Sequence, residues 1–325
     1  MNIAITGSLG NISKPLAIEL VQKGHSVTVI SSQPERKQEI EALGAKAAIG
    51  KIQDLSFLKD TFEGQDTVYC MLPPFNFFGD SQLDYKNEAR QIAANYLEAI
   101  RQAGVKKVIH LSSVGAEKKQ GTGLLEFHYI VEQVLKQLPD EISLTHIRPA
   151  NFDYNLYQFM DMIKGNGFLK GFIGKILYLR HYGISGLLKG HSGLILSNYG
   201  ADDLIAWVSP KDIAAAIAEE VENKSFARNT RYVASEELTC QQVARIIGEA
   251  IGKPYLKWVL ISDKQMISAL TQFGASDQIA RDLTQMNKTT HDGSLFEDYF
   301  RNRPVLGKTK MKDFAVEFAA KYRQA

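Results

Sequence analysis

Short apolar runs alternate with longer amphipathic stretches along the first half of the chain. Asn2–Thr6, Ser26–Ser31, Lys46–Ile49, Thr67–Leu72, Lys107–Leu111 and Ser143–Arg148 have the length and residue types of strands. Runs such as TVYCML and VIHLSS are apolar on both faces, as strands are when helices cover them on either side. The strand and helix alternation predicts an α/β fold with a doubly wound parallel sheet.

Beyond Arg148 the rhythm changes to an aromatic stretch, NFDYNLYQFMDMI, then a glycine-rich apolar stretch, then mainly helices. Capping-box spacing marks helix starts at Ser209 with Asp212, Thr239 with Gln242, and Ser262 with Gln265. Pro210 occupies the first helical position after Ser209. One more sheet strand is expected at Thr230–Ala234. Residues 1–150, completed by about 198–235, are expected to form the main domain, with 151–197 and 236–325 forming a smaller, mainly helical lobe.

Composition narrows the function classes. The chain has 325 residues, 45% hydrophobic and 23% charged, and a formal net charge of +2. That charge is too mild for a protein that tracks phosphate backbones, so no direct nucleic-acid binding is expected. Cys70 and Cys240 stand far apart without metal-ligand spacing, so neither a disulfide framework nor a metal site is expected. The first residues, MNIAITG, read as a strand and not as a signal segment, and no apolar run reaches membrane-span length. A cytoplasmic location is the expectation.

The sequence ITGSLGNISKPLAIEL places Gly7 and Gly10 directly after the first strand and before a helix, the context a dinucleotide-binding turn requires. The loop Gly7, Ser8, Leu9, Gly10, Asn11 and Ile12 can present bare amides to a pyrophosphate where the helix dipole favours negative charge. Ser13 stands where a third glycine usually packs helix on sheet, and is small enough to do the same. The second strand ends in VISSQPERK, without the carboxylate that would hold a free ribose 2′-hydroxyl. Ser31, Ser32 and Gln33 can accommodate a 2′-phosphate that Arg36 or Lys37 neutralises, which favours NADP(H) over NAD(H). Leu72 and Pro73 after the fourth strand and Ser112 after the fifth complete the expected cofactor contacts.

Several ordered motifs together carry a family resemblance: TGSLGNIS, GHSVTVISSQPER, VIHLSSVGA, FHYIVEQVL with SLTHIRPANFDYNL, VSPKDIAAAIAEEV and YVASEELTCQQVARIIGEAIGKP. In this order they resemble the NmrA-like family of atypical short-chain dehydrogenase/reductases. The resemblance implies an NAD(P)-binding Rossmann domain with a small C-terminal lobe. It also implies two kinds of function, since relatives include quinone-type and isoflavone-type reductases and regulators that bind dinucleotide without turnover and act through a protein partner. The chain departs from the pattern at Ser32, where many relatives place arginine, and at Lys51, which replaces an acid common in that turn.

A Tyr-x-x-x-Lys pair, in which the lysine lowers the tyrosine pKa, is absent, because Gln133 follows Tyr129 four residues on. Isoflavone-type reductases resemble the chain at this helix but carry a Lys-x-x-x-Arg pattern, and aligning on LTHIRP sets His128 at that lysine and Glu132 at the arginine. Both side chains then share a helical face. His128 is expected as a general acid held by Glu132, the alternative being an exposed helix pair. Ser112 and Ser113 end a strand where open α/β sheets bind ligands.

Phe75, Phe77 and Phe78, then Phe152, Tyr154, Tyr157 and Phe159, follow the strands that should open on the crevice. With Ser113, the residues Phe75, Phe152 and Tyr154 are expected to line the substrate pocket, and flat apolar walls suit a quinone-like or conjugated carbonyl compound. From Met162 to Ala201 there is no acidic residue, while Lys164, Lys170, Lys175, Arg180 and Lys189 punctuate the sequence. This segment reads as a lid, as an excursion packed on the lobe, or, over residues 168–196, as a peripheral contact with an anionic membrane.

Overall fold

The computed structural model of the protein describes residues 1–80, 82–165, 172–225 and 227–324, with the side chains of 172–175 outside the description. Lys170 and the Lys175 side chain therefore lie outside the described residues.

The central sheet is built from β1 (Asn2–Ile5), β2 (Ser26–Ser31), β3 (Lys46–Ile49), β4 (Thr67–Cys70), β5 (Lys107–Leu111), β6 (Ser143–Pro149) and β10 (Arg228–Val233). Its seven strands run in the order β10-β6-β5-β4-β1-β2-β3 and every pairing is parallel. This is the doubly wound Rossmann sheet, and the predicted strands match it to within two residues at each end. The chain winds outward from β1 to β3 and then crosses back to β4 beside β1, so the order reverses between β1 and β4. Such a reversal opens a crevice at the carboxyl ends of the strands.

Helices α1 (Ser13–Gln22), α2 (Lys37–Ala42), α3 (Leu55–Phe62), α4 (Tyr85–Ala103) and α5 (Glu126–Leu135) connect these strands. Their apolar spacing explains their seating. In α4, Ala89, Ile92, Ala93, Tyr96, Ala99 and Ile100 recur on one face and are buried, Asp84 caps the first turn, and Gly104 ends the helix at φ 68°. One core lies under α1 and another under α4 and α5, on opposite sides of the sheet.

The C-terminal part contains α6 (Met160–Lys164), α7 (Phe172–Leu188), α8 (Pro210–Glu222), α9 (Cys240–Ala250), α10 (Asp263–Gln272), α11 (Asp277–His291), α12 (Glu297–Arg301) and α13 (Met311–Gln324). Two small sheets that the hydrophobic pattern does not announce lace these helices together. β7 (Asn151–Phe152), β9 (Leu204–Val208) and β11 (Glu236–Thr239) form one, with β9 in the middle, and β8 (Leu194–Ser197) pairs in parallel with β12 (Lys257–Leu260) in the other. The stretch 198–235 is thus shared: β10 completes the central sheet and α8 packs on α1, while β9 belongs to a small sheet.

The capping boxes at Thr239 with Gln242 and Ser262 with Gln265 are formed in full. That at Ser209 is not. Its hydroxyl accepts from the Lys211 amide, but Asp212 turns away to accept from Ser235 Oγ and the amides of Lys308 and Thr309. A carboxylate that ties down the segment before α13 cannot also reach back to its own helix start.

Candidate active site

The glycine loop closes the gap between β1 and α1. Gly7 has φ 90°, and a Cβ there would lie 2.3 Å from Met71 Sδ and 2.6 Å from Ser13 Oγ, so the turn admits no side chain. Ser13 is fully buried and donates to the Thr6 carbonyl at 2.8 Å, so it packs as the third glycine would while satisfying its own hydroxyl. Thr6 in turn accepts from the Met71 amide through Oγ1, tying the loop to β4. No side chain caps α1 and its first turn carries no acid. The amides of Asn11 and Ile12 have no acceptor among the described residues. An uncapped helix start with bare amides and exposed Gly10 beside it fits a pyrophosphate.

At the end of β2, Ser8 Oγ donates to Ser31 Oγ, which also accepts from the Gln33 amide. Ser32, Gln33 and Arg36 line the same cleft, as does Lys51, which follows Gly50 at the end of β3. Arg36 also reaches Glu39 at 2.6 Å, a carboxylate that Lys14 approaches at 2.8 Å, and these two cations hold Glu39 below the usual carboxylate range.

The cleft, about 1240 Å³, is continuous from this loop to an aromatic end. Its lining includes every expected cofactor residue, from Gly7 to Ile12 with Ser32, Arg36, Leu72, Pro73 and Ser112, and every expected substrate residue: Phe75, Ser113, Phe152 and Tyr154. His128 lies on it and Glu132 does not. Among the described residues no aspartate or glutamate lines it, and the charged residues that do are Arg36 and Lys51.

The expectation that Glu132 holds His128 is corrected by the structure. Glu132 is wholly buried and accepts from Arg148 Nε at 2.9 Å, Arg148 Nη2 at 2.8 Å and Ser112 Oγ at 2.7 Å. Burial alone would raise its pKa, but the Arg148 hydrogen bonds and charge hold it below the usual range. It is neither a partner for His128 nor part of an exposed pair: it pins α5 to β5 and β6. Ser112, which also lines the cleft, spends its hydroxyl on this carboxylate. What sets His128 in place is the helix that Glu132 anchors, together with Phe127, whose ring lies 4.1 Å away.

His128 also does not titrate near neutrality. Burial pushes its pKa down to about 4, against a smaller upward pull from Glu132. The ring is neutral at pH 7. Its Nδ1 is buried and has no hydrogen-bond partner among the described residues, which leaves Nε2 as the nitrogen a substrate can meet. Under α5, His146 is likewise pushed to about 4 by burial, and its Nδ1 meets that of His110 at 3.0 Å.

The walls are flat and apolar. Phe75 packs edge-on against Phe127 at 5.3 Å and near Phe77, and Tyr85 closes the cluster. Opposite, Phe152 stacks on Tyr154 at 5.1 Å, and the Tyr154 hydroxyl, its pKa pushed up to about 12 by burial, faces Asn11. Tyr157 stacks instead on Phe318 of α13 and is core, not cleft. The part that sequence reasoning missed comes from the C-terminal helices: Met266, Leu270, Leu283 and Met286 line the cleft from α10 and α11. Their helical spacing was a signal for it, since Met266 with Leu270 and Leu283 with Met286 each share a face.

Residues 7–156 match the family of NAD(P)H-binding domains. Among curated proteins, the photosystem II assembly factor Ycf39 of Synechocystis sp. is 22% identical over 232 residues, 71% of this chain and 61% of that protein. The chain thus spans about three fifths of that relative's length. Among solved structures, the NADPH-dependent quinone oxidoreductase QOR2 of Escherichia coli, complexed with NADPH, superposes with a TM-score of 0.72 at 20% identity, covering 97% of this chain and 99% of that one. The triphenylmethane reductase of Citrobacter sp. superposes with a TM-score of 0.69 at 19% identity, covering 99% and 100%. Residues 7–156 thus match the NAD(P)H-binding family model, and the whole chain shares the fold of these two solved structures.

Proposed function

We propose that the protein is an NAD(P)H-dependent oxidoreductase that reduces a planar conjugated acceptor, with a quinone as the best-fitting class. The observation that carries this reading is one cleft running from a dinucleotide loop past His128 to walls of Phe75, Phe127, Phe152 and Tyr154. A bound reduced nicotinamide supplies a hydride. The chain's own part is to hold the dinucleotide on the Gly7–Ile12 amides, to sandwich the acceptor between apolar walls, and to exclude water with α10 and α11. His128, being neutral, acts as a hydrogen-bond donor from Nε2 to the acceptor oxygen, where negative charge develops, instead of as a charged acid. The final proton comes from solvent.

NADP(H) is preferred over NAD(H) in this reading. Among the described residues, the charges along the cleft are Arg36 and Lys51, which Ser32 and Gln33 accompany, and no carboxylate there waits for a free 2′-hydroxyl.

A second reading, a catalytically silent sensor of the dinucleotide's redox state, is favoured by one observation: Gln133 stands where a Tyr129 mechanism needs lysine. It requires a protein partner with different affinity for the two cofactor states. The two separate on quinone-dependent NADPH oxidation by purified protein and by His128→Gln. The reductase reading expects turnover that falls by about 10²-fold in the variant with NADPH affinity retained. Binding without any turnover across a quinone panel goes against it.

A further inference from the structure

Helix α7 consists of two helical segments that meet at Gly183. Leu177, Tyr178 and Tyr182 pack on the β8 and β12 pair with Leu194, Leu196 and Val259, and Tyr182 donates to the carbonyls of Gly193 and Tyr255. Both segments expose aliphatic side chains: Ile176 and Leu179 before the break at Gly183, and Ile184, Leu187 and Leu188 after it, the last being 84% exposed. Arg180 and Lys189 are exposed among them. Scattered apolar residues on a surface need no explanation, but five exposed aliphatic side chains between positions 176 and 188, in a stretch with no acid, are a concentration that does.

We propose that this stretch docks the protein on an anionic lipid bilayer, lying in the interface plane with the aliphatic side chains in the acyl boundary. The charge pattern selects the occupant. Residues 162–201 contain Lys164, Lys170, Lys175, Arg180 and Lys189 and no aspartate or glutamate, as a cationic interfacial segment does. A second copy of the chain is disfavoured, because a two-fold contact through this stretch would set Arg180 and Lys189 against their own images. No helix among the described residues is long and apolar enough to cross a membrane, so the contact is peripheral. Helix α7 packs on the β8 and β12 pair, and Ser197 at the end of β8 lines the cleft, so, on the reductase reading, docking would bring that side of the cleft towards lipid-soluble acceptors.

The test is co-sedimentation of the full chain with vesicles of phosphatidylcholine alone or mixed with phosphatidylglycerol, at low and high salt. The wild type is expected to pellet with the anionic vesicles at low salt, to bind several-fold less at high salt, and to leave neutral vesicles in the supernatant. The double variant Ile184→Asp with Leu188→Asp should lose most of that binding while retaining its NADPH affinity, which shows that it folds. Absence of pelleting with anionic vesicles, or equal pelleting of the variant, overturns the proposal. If vesicles are not bound, gel filtration assigns the stretch: a dimer that the variant dissociates makes it a contact between copies, and a monomer leaves it to an acidic protein partner.

Discussion

The guanidinium of Arg148 grips the carboxylate of Glu132 with two hydrogen bonds, Nε to Oε1 at 2.9 Å and Nη2 to Oε2 at 2.8 Å, and both residues are buried. Arg148 ends β6 and Glu132 lies on α5, so this ion pair fixes the helix that carries His128 to the sheet. Glu132→Gln removes the most buried counter-charge of Arg148, leaving Glu117 at 3.3 Å and Asp298 at 3.4 Å, and should destabilise the protein by up to about 3 kcal/mol, below the cost of a fully unpaired buried charge. Urea denaturation of the variant checks this, and activity per folded molecule should change far less than stability. Because the folded pKa of Glu132 is held below its ordinary value, its contribution is present above the ordinary carboxylate range and is lost as pH falls through the folded value.

His128 should contribute no ionisation to the pH profile of quinone reduction between about pH 5 and pH 8, since burial sets its pKa near 4. A histidine acting as a charged acid would instead lose activity as pH rises through the ordinary value near 6.5. The slope of kcat/KM across this range distinguishes the two.

Gly7→Ala should abolish tight dinucleotide binding. The residue sits at φ 90° with Met71 and Ser13 where a methyl group would stand. The strain is on the order of 1–3 kcal/mol, and relieving it displaces the loop amides. NADPH titration by fluorescence, alongside a thermal melt, measures both effects.

Removing the cations at the adenosine end should act on one cofactor only. Arg36→Ala combined with Lys51→Ala is expected to weaken NADPH by about tenfold or more, the worth of one or two charge-assisted hydrogen bonds, with little change for NADH. Equal loss for both cofactors would contradict the preference for NADP(H).

Asp153 supplies a pH-dependent stability. Burial is the main cause that pushes its carboxyl from 3.8 to about 7, opposed by a bond to the Tyr154 amide and aided by the charges of Glu317 and Asp212. The native state therefore binds more protons than the unfolded one between these values, so stability declines as pH rises through that window, and the penalty is complete above about 7. Asp153→Asn should raise the melting temperature at about pH 8 and do little at about pH 4. A gain that is the same at both values would contradict this assignment.

Much of the architecture was legible because it is local. Strands apolar on both faces and a glycine loop between strand and helix need only a few residues to declare themselves, and all seven central strands did. The small sheets did not, because β7 has two residues and pairs with β9 some fifty positions later, so no periodicity marks it. The residues expected to hold cofactor and substrate line one cleft, but the pairing expected of His128 with Glu132 was misread. His128 and Glu132 do lie near one another on α5, but helical spacing says nothing of Arg148, whose pairing with Glu132 exists only once β6 lies under α5. Nor does spacing reveal that burial keeps His128 neutral. The Met and Leu wall of α10 and α11 reaches the cleft from more than a hundred residues beyond the aromatic stretch, a distance only the tertiary fold closes.

The most direct measurement follows NADPH fluorescence on mixing with the purified protein, then adds quinones one at a time. The account predicts enhancement as the dinucleotide seats on the Gly7–Ile12 loop, followed by a quinone-dependent decay above the protein-free rate. Enhancement that persists through every quinone would contradict the reductase and favour the sensor, and no enhancement at all would contradict the reading of the cleft itself.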